Sequence, residues 1–153
     1  MPPGLTIRAA TSADLPDVVR CVAAAYAMYV ERIGRPPAPM TADYEALVGR
    51  GVVRVAEDER GLAGLVVAWP EAGHLFIENV AVWPERQGEG IGSRLLDDCE
   101  AQARELGLGE LRLYTNEAMT ENLAYYPRRG FVEIGRRVED GFRRVYFSKQ
   151  LNG

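Results

Sequence analysis

The sequence predicts an α/β fold in which helices cover a central mixed sheet, and three observations predict it. Strand-like runs interleave with amphipathic helical runs along the whole chain. Two turn signals, Asp58-Glu59-Arg60-Gly61 and Glu139-Asp140-Gly141, each join β-rich runs as hairpins. An apolar strand over residues 74–82 stops before Pro84, passes through Gly88, Gly90 and Gly92, and opens a helix. The 153 residues suit one domain, 1-153, and 47% hydrophobic with 26% charged residues is globular rather than disordered composition.

In chain order, residues 5–8 read as a short strand. Thr11 or Ser12 caps a helix whose apolar positions Leu15, Val18, Val19, Val22, Ala25, Tyr26 and Tyr29 recur at helical spacing, with Pro16 in its first turn and its end near Gly34. Arg35-Pro36-Pro37-Ala38-Pro39 reads as a stiff connector to a second helix over 41–48. Runs 52–57 and 62–69 form the first hairpin, and a turn over 70–73 leads to the strand at 74–82. Leu95, Leu96, Cys99, Ala103 and Leu106 mark one face of the following helix, which Gly107 stops. An alternating strand at 111–115, a short helix at 120–126, and strands at 131–138 and 142–149 complete the order. There is no internal repeat or interdomain linker.

A net charge of -4 opposes non-specific nucleic-acid binding, so an anionic ligand has to be bound by local features. Cys21 and Cys99 each fall in an apolar helical pattern and read as buried reduced thiols. With one histidine, His74, and no Cys-x-x-Cys, no metal site is expected. Met1-Pro2-Pro3-Gly4 is no basic and apolar leader, and no apolar run is long enough for a membrane span, so a cytoplasmic location and no membrane partner are expected.

The loop at residues 84–92 carries the chemistry. Glycines let the backbone adopt positive φ and approach a ligand closely, while the first N–H groups of the helix stay unpaired and favour phosphate. No Gly-Lys-Ser/Thr ends the loop as in a P-loop, and Gly88-x-Gly90-x-x-Ser93 lacks the third glycine of a dinucleotide fingerprint. Gln87-Gly88-Glu89-Gly90-Ile91-Gly92, of the form Gln-x-x-Gly-x-Gly after Val-Ala-Val-x-Pro, resembles the acetyl-CoA signature of the GCN5-related N-acetyltransferase (GNAT) family. Tyr126-Pro127-Arg128-Arg129-Gly130-Phe131 resembles that family's Tyr-x-x-x-Gly-Phe signature, in the right order downstream. The resemblance covers nearly the whole chain, with the first 50 residues matching only in outline, and it implies the acyl-CoA N-acyltransferase fold, with a mixed, mostly antiparallel sheet.

The resemblance further implies an acetyl-CoA-dependent N-acetyltransferase, in which a primary amine of a small molecule or peptide attacks the thioester directly through a tetrahedral intermediate. Gln87, Gly88, Glu89, Gly90, Ile91, Gly92 and Ser93 would bind the pyrophosphate, mostly through main-chain N–H groups, with Arg86 and Arg94 nearby. Val80, Ala81 and Val82 would pair through main chain with the pantetheine arm, and an N–H near Val80 would stabilise the oxyanion. Polar Glu78 and Asn79 interrupt an apolar strand, which suggests a bulge there. Tyr126 matches the family's general acid, the spacing to Gly130-Phe131 choosing it over Tyr125; Glu78 is the first candidate base and His74 the second.

Two departures stand out. The position seven before Tyr126, often an asparagine in the family, is Met119, which leaves Asn122 as the candidate coenzyme contact; and Pro127 predicts a bend or an end to the helix there. Tyr26, Tyr29 and Arg32, with Arg35 and Tyr44, are candidates to line an amine pocket. The oligomer is expected to be a monomer or a homodimer. The alternative to an enzyme is a non-catalytic acyl-CoA-binding sensor or interaction module.

Overall fold

A computed structural model describes residues 4–151, so the leader reading at residues 1–3 lies outside the described residues. The chain runs β1 (Thr6–Ala9), α1 (Leu15–Tyr26), α2 (Tyr29–Ile33), α3 (Tyr44–Gly49), β2 (Val53–Asp58), β3 (Gly61–Glu71), β4 (His74–Val82), α4 (Ile91–Glu105), β5 (Glu110–Asn116), α5 (Thr120–Arg128), β6 (Val132–Glu139) and β7 (Phe142–Gln150). Its strands form one sheet in the order β1-β2-β3-β4-β5-β7-β6, antiparallel throughout except for β4 with β5. The helices divide between its faces. One apolar cluster, built around Leu75, Ile77, Leu95, Leu113 and Phe147, packs beneath α4 and α5, and the other joins Val18, Val22, Tyr26, Leu65 and Val67 beneath α1 to α3.

Four local expectations are corrected. The single helix expected to reach Gly34 is two, parted at Ala27 and Met28; both keep right-handed helical dihedrals, and the break is a tightened turn in which Val30 N–H reaches back to Ala27 O at 3.3 Å. That turn buries both Tyr26 and Tyr29. The second helix starts later, at Tyr44, because Asp43 caps it by accepting from Ala46 N–H at 3.1 Å, and a short 3-10 turn occupies Ala38–Thr41. Pro70 belongs to β3 rather than to a turn; β2 pairs only as far as Val67, so no neighbour on that side needs the missing donor. α5 runs two residues past the expected 126, through Pro127 to Arg128, where it ends in a last turn that Arg129 N–H closes on Tyr126 O at 2.9 Å.

Two irregularities of the sheet open a cleft in it. In β4 the register steps from Val67↔Asn79 to Ala68↔Ile77, so Glu78 is an extra, unmatched residue, in agreement with the expected bulge. The bulge changes which face each later residue occupies: Leu75 and Ile77 lie in the cluster under α4, whereas beyond the bulge it is Val80 and Val82 that pack there, and Asn79 turns toward Tyr26 and Tyr44. Without it, Asn79 would enter an apolar core. The second irregularity is a fork: β4 and β5 pair only over 75–77 with 111–113, after which β4 stays with β3 and β5 with β7.

Candidate active site

The glycine loop enters α4 through two left-handed residues, Gly88 (φ 86°) and Gly90 (φ 81°). A Cβ at either would meet nothing within 4 Å, so the backbone conformation rather than crowding calls for glycine there. Gly92 is different: it lies inside α4 without positive φ, and a Cβ there would touch the Tyr125 hydroxyl at 3.5 Å. The ladder of α4 starts where Arg94 N–H donates to Gly90 O at 3.1 Å, so the N–H groups of Ile91, Gly92 and Ser93 precede any helical acceptor. Ile91, 1% exposed, anchors this first turn in the core.

Arg86 borders the loop with its charge already met by carboxylates. Its guanidinium is buried between Asp58 and Glu89, and Glu89 also receives Arg60 at 2.7 Å, so the β2–β3 turn and the glycine loop are tied together. Hydrogen bonding to Arg86 holds Asp58 below its ordinary pKa. Glu89 therefore contributes its side chain to this clamp, and Arg94 donates to Leu5 O at 3.5 Å. Gln87 is exposed beside the loop.

A groove runs over the N-terminus of α4, walled by Tyr29, Val82, Gly88, Gly90, Ser93 and Tyr125 among others. On the far side of the fork lies a second, small chamber, lined by Glu78, Asn79, Tyr114, Thr115, Met119 and Arg144, with Pro37 to Pro39 at its edge. Both spaces share four walls: Tyr26, Val80, Asn122 and Tyr126. Of the expected residues, the fork thus gathers Glu78, Val80, Asn122, Tyr126 and Tyr26, whereas His74 lies at the start of β4 with Glu71 at 3.2 Å, away from both.

Tyr126 is 9% exposed, packed on Tyr125, Phe131 and Phe147, and its hydroxyl makes no hydrogen bond among the described residues. Burial pushes its pKa well above that of an ordinary phenol. Tyr125, by contrast, shares a hydrogen bond with Ser93 Oγ at 3.2 Å and carries the Arg129 guanidinium over its ring. Glu78 is drawn upward in pKa by burial, only partly offset by the Asn79 amide at 2.9 Å and the positive charge of Arg144. Asn79 bridges onward to the Tyr44 hydroxyl at 3.0 Å, and Tyr26 donates to Val80 O at 3.0 Å. Asn122 spends its amide on Thr115 Oγ1 at 3.1 Å. Arg32 is spent on Glu121, at 2.6 and 2.9 Å, and lies over the Tyr29 ring; it ties α2 to α5 and does not line the chamber.

A profile described as the acetyltransferase (GNAT) family matches residues 20–131. The chain belongs to that family. GNAT chains with solved structures resemble it at two levels. Nourseothricin acetyltransferase is 30% identical over 65% of this chain and 65% of its own, with a TM-score of 0.61. The PaiA N-acetyltransferase of Thermoplasma acidophilum, solved in complex with coenzyme A, is 17% identical but overlays 95% of this chain and 98% of its own, with a TM-score of 0.78. A curated relative, the IAA acetyltransferase of Azospirillum brasilense, is 33% identical over 72 residues, so the match spans about half the length of each chain. The mixed sheet flanked by helices is thus the GNAT fold.

Sequence reading missed Arg144 and Tyr114 in this GNAT chain. The signal was present: Phe142, Arg144 and Tyr146 alternate with the buried Val145 and Phe147, which places them on the opposite face of β7. No group of His, Cys, Asp or Glu suited to a metal occurs among the described residues, and no helix among them is long and apolar enough to cross a membrane.

Proposed function

We propose that this chain is an N-acetyltransferase that moves an acetyl group from acetyl-CoA to a primary amine. One observation carries the reading: a groove over unpaired helix N–H groups and a chamber holding a carboxylate share Tyr126 and Val80 as common walls. Such a pair of spaces suits two substrates that meet end to end. The residues present fit the coenzyme. N–H groups of Ile91, Gly92 and Ser93 and the open space above Gly88 and Gly90 suit a pyrophosphate, and β4 beyond the fork has no strand on one side among the described residues, leaving main chain at Val80 to Val82 for the amides of a pantetheine arm. The crystallised complex of the Thermoplasma relative with coenzyme A supports the same assignment.

Bound acetyl-CoA supplies an activated acyl group as a thioester. Glu78, with its proton affinity raised by burial, takes a proton from the incoming ammonium directly or through water. The freed nitrogen adds to the thioester carbonyl to form the new C–N bond, and the C–S bond then breaks. Two protons leave the nitrogen in all; sulfur receives one equivalent from the Tyr126 phenol, which is re-protonated, and one reaches solvent. A main-chain N–H near Val80 stabilises the oxyanion. Nothing in the geometry favours the sensor alternative.

The test is CoA release across an amine panel by wild type and Tyr126→Phe, with acetyl-CoA titrated calorimetrically into wild type and Gly90→Val. Acyl transfer that falls in Tyr126→Phe, and binding lost in Gly90→Val, are expected. Tight coenzyme binding without transfer to any amine would instead make the protein a sensor.

A further inference from the structure

The chamber holds a second charged group that the transfer chemistry leaves unused. Arg144 projects from β7, its side chain 12% exposed, with its guanidinium 4.4 Å from the Tyr114 ring centroid and 5.5 Å from that of Phe142. Its one ion-pair contact among the described residues is Nη1 to Glu139 Oε1 at 3.4 Å, longer than a well-formed charge-assisted bond, and the same oxygen is already taken by the Tyr146 hydroxyl. A guanidinium carries five N–H donors, and the aromatic faces beside it accept none of them strongly. Glu78 stands in the same chamber, near enough to feel the charge of Arg144 but without an ion pair between them. A carboxylate and a guanidinium thus share one small space with a gap between.

That gap is complementary to a molecule with its own pair of charges. Its ammonium belongs at the Glu78 end, beside Val80 and Tyr126, and its anion at the Arg144 end. The chamber also limits size. Pro37 to Pro39 border it, and the connector is pinned because Arg35 donates to Asp140 O in the β6–β7 turn and stacks 3.6 Å over Phe142.

Resting on the acetyltransferase reading above, we infer that the acceptor is a small amine that also carries an oxyanion group, in the manner of an amino acid or an aminophosphonate, and that Arg144 holds this group. Arg144 is then the residue that sets specificity, through bidentate hydrogen bonds that a neutral acceptor leaves unmade.

The test compares amino acids and aminophosphonates with their amides, esters and decarboxylated amines, following CoA thiol release, in wild type, Arg144→Gln and Arg144→Lys. Wild type is expected to favour the anionic acceptors in kcat/KM by roughly tenfold or more, the scale of a charged hydrogen bond. Arg144→Gln should bring that ratio to about one and Arg144→Lys should keep part of it. Calorimetric titration of the same acids and amides in the presence of CoA reads the contact without turnover, and heat is expected for the acids alone. Equal or better turnover of the neutral acceptors by wild type would overturn the inference and leave the acetyltransferase reading standing. No release with any acceptor, and no heat, would overturn both. Should Arg144→Gln fail to fold, the wild-type ratio decides the matter alone.

Discussion

At the scale of single residues, the two groups assigned to proton transfer differ from ordinary surface groups in the same way: burial disfavours their charged forms. For Tyr126 this keeps the phenol protonated throughout the neutral and mildly alkaline range. Tyr126→Phe is expected to lower kcat about 10²-fold or more with little change in acetyl-CoA affinity, measured by steady-state kinetics and calorimetry. For Glu78 the same burial has a cost to stability. A carboxyl whose folded pKa is raised keeps its proton in the folded chain where the unfolded chain has lost it, so its contribution declines as pH rises from the ordinary value through the folded one. Glu78→Gln should therefore melt higher than wild type at pH 7 to 8, with the gap closing below about pH 4, while kcat/KM falls. Equal melting curves at both pH values would refute the assignment of Glu78 as a buried, strained acid. Glu78 stood out in the sequence as a polar step in an apolar strand and Tyr126 through the family resemblance of residues 126–131, and both line the chamber. The partners of Tyr26 did not stand out, since its bonds to Asn79 and Val80 reach across more than 50 residues of chain.

Among the elements, the fork depends on how β3 holds β4 in place. Gly64 of β3 has no room for a side chain: a Cβ would lie 2.7 Å from Ala81 O and 3.3 Å from both Ile91 Cγ2 and Val82 Cγ2. Gly64→Ala should push β4 and the first turn of α4 apart, lowering stability by about 1–3 kcal/mol in denaturant titration. Acetyl-CoA affinity should fall with it; an unchanged midpoint and affinity would show that β4 and α4 tolerate the methyl group without moving. Strands and turns were readable because their signals are local. Alternation marked the strands, and Asp140-Gly141, both at positive φ (54° and 80°), is the two-residue turn that such a pair favours. The order of strands was not readable, since the insertion of β7 between β5 and β6 is decided by contacts distant in sequence. Nor was the break at Ala27 and Met28, which contains neither glycine nor proline and leaves every dihedral helical.

Across the whole molecule, the sheet separates two apolar layers that share no helix, with Cys21 in one and Cys99 in the other. Both thiols are fully buried, and burial raises each pKa to about 12. A thiolate-selective reagent at pH 8 is therefore expected to label neither in the native protein, and bound acetyl-CoA should slow labelling further if it stabilises the folded state. Equal labelling rates for the two during unfolding would mean that both layers open together; unequal rates would mean that one side of the sheet opens alone. The single surplus residue in β4 has a consequence for evolution as well as for chemistry. Positions that must stay oily on the α4 side fall at 75, 77, 80 and 82, a rhythm of two, three, two. A descendant that lost or gained one residue there would turn its strand inside out from that point on, so this syncopated spacing is itself a mark by which chains with the same working cleft can be told from those that merely share the sheet.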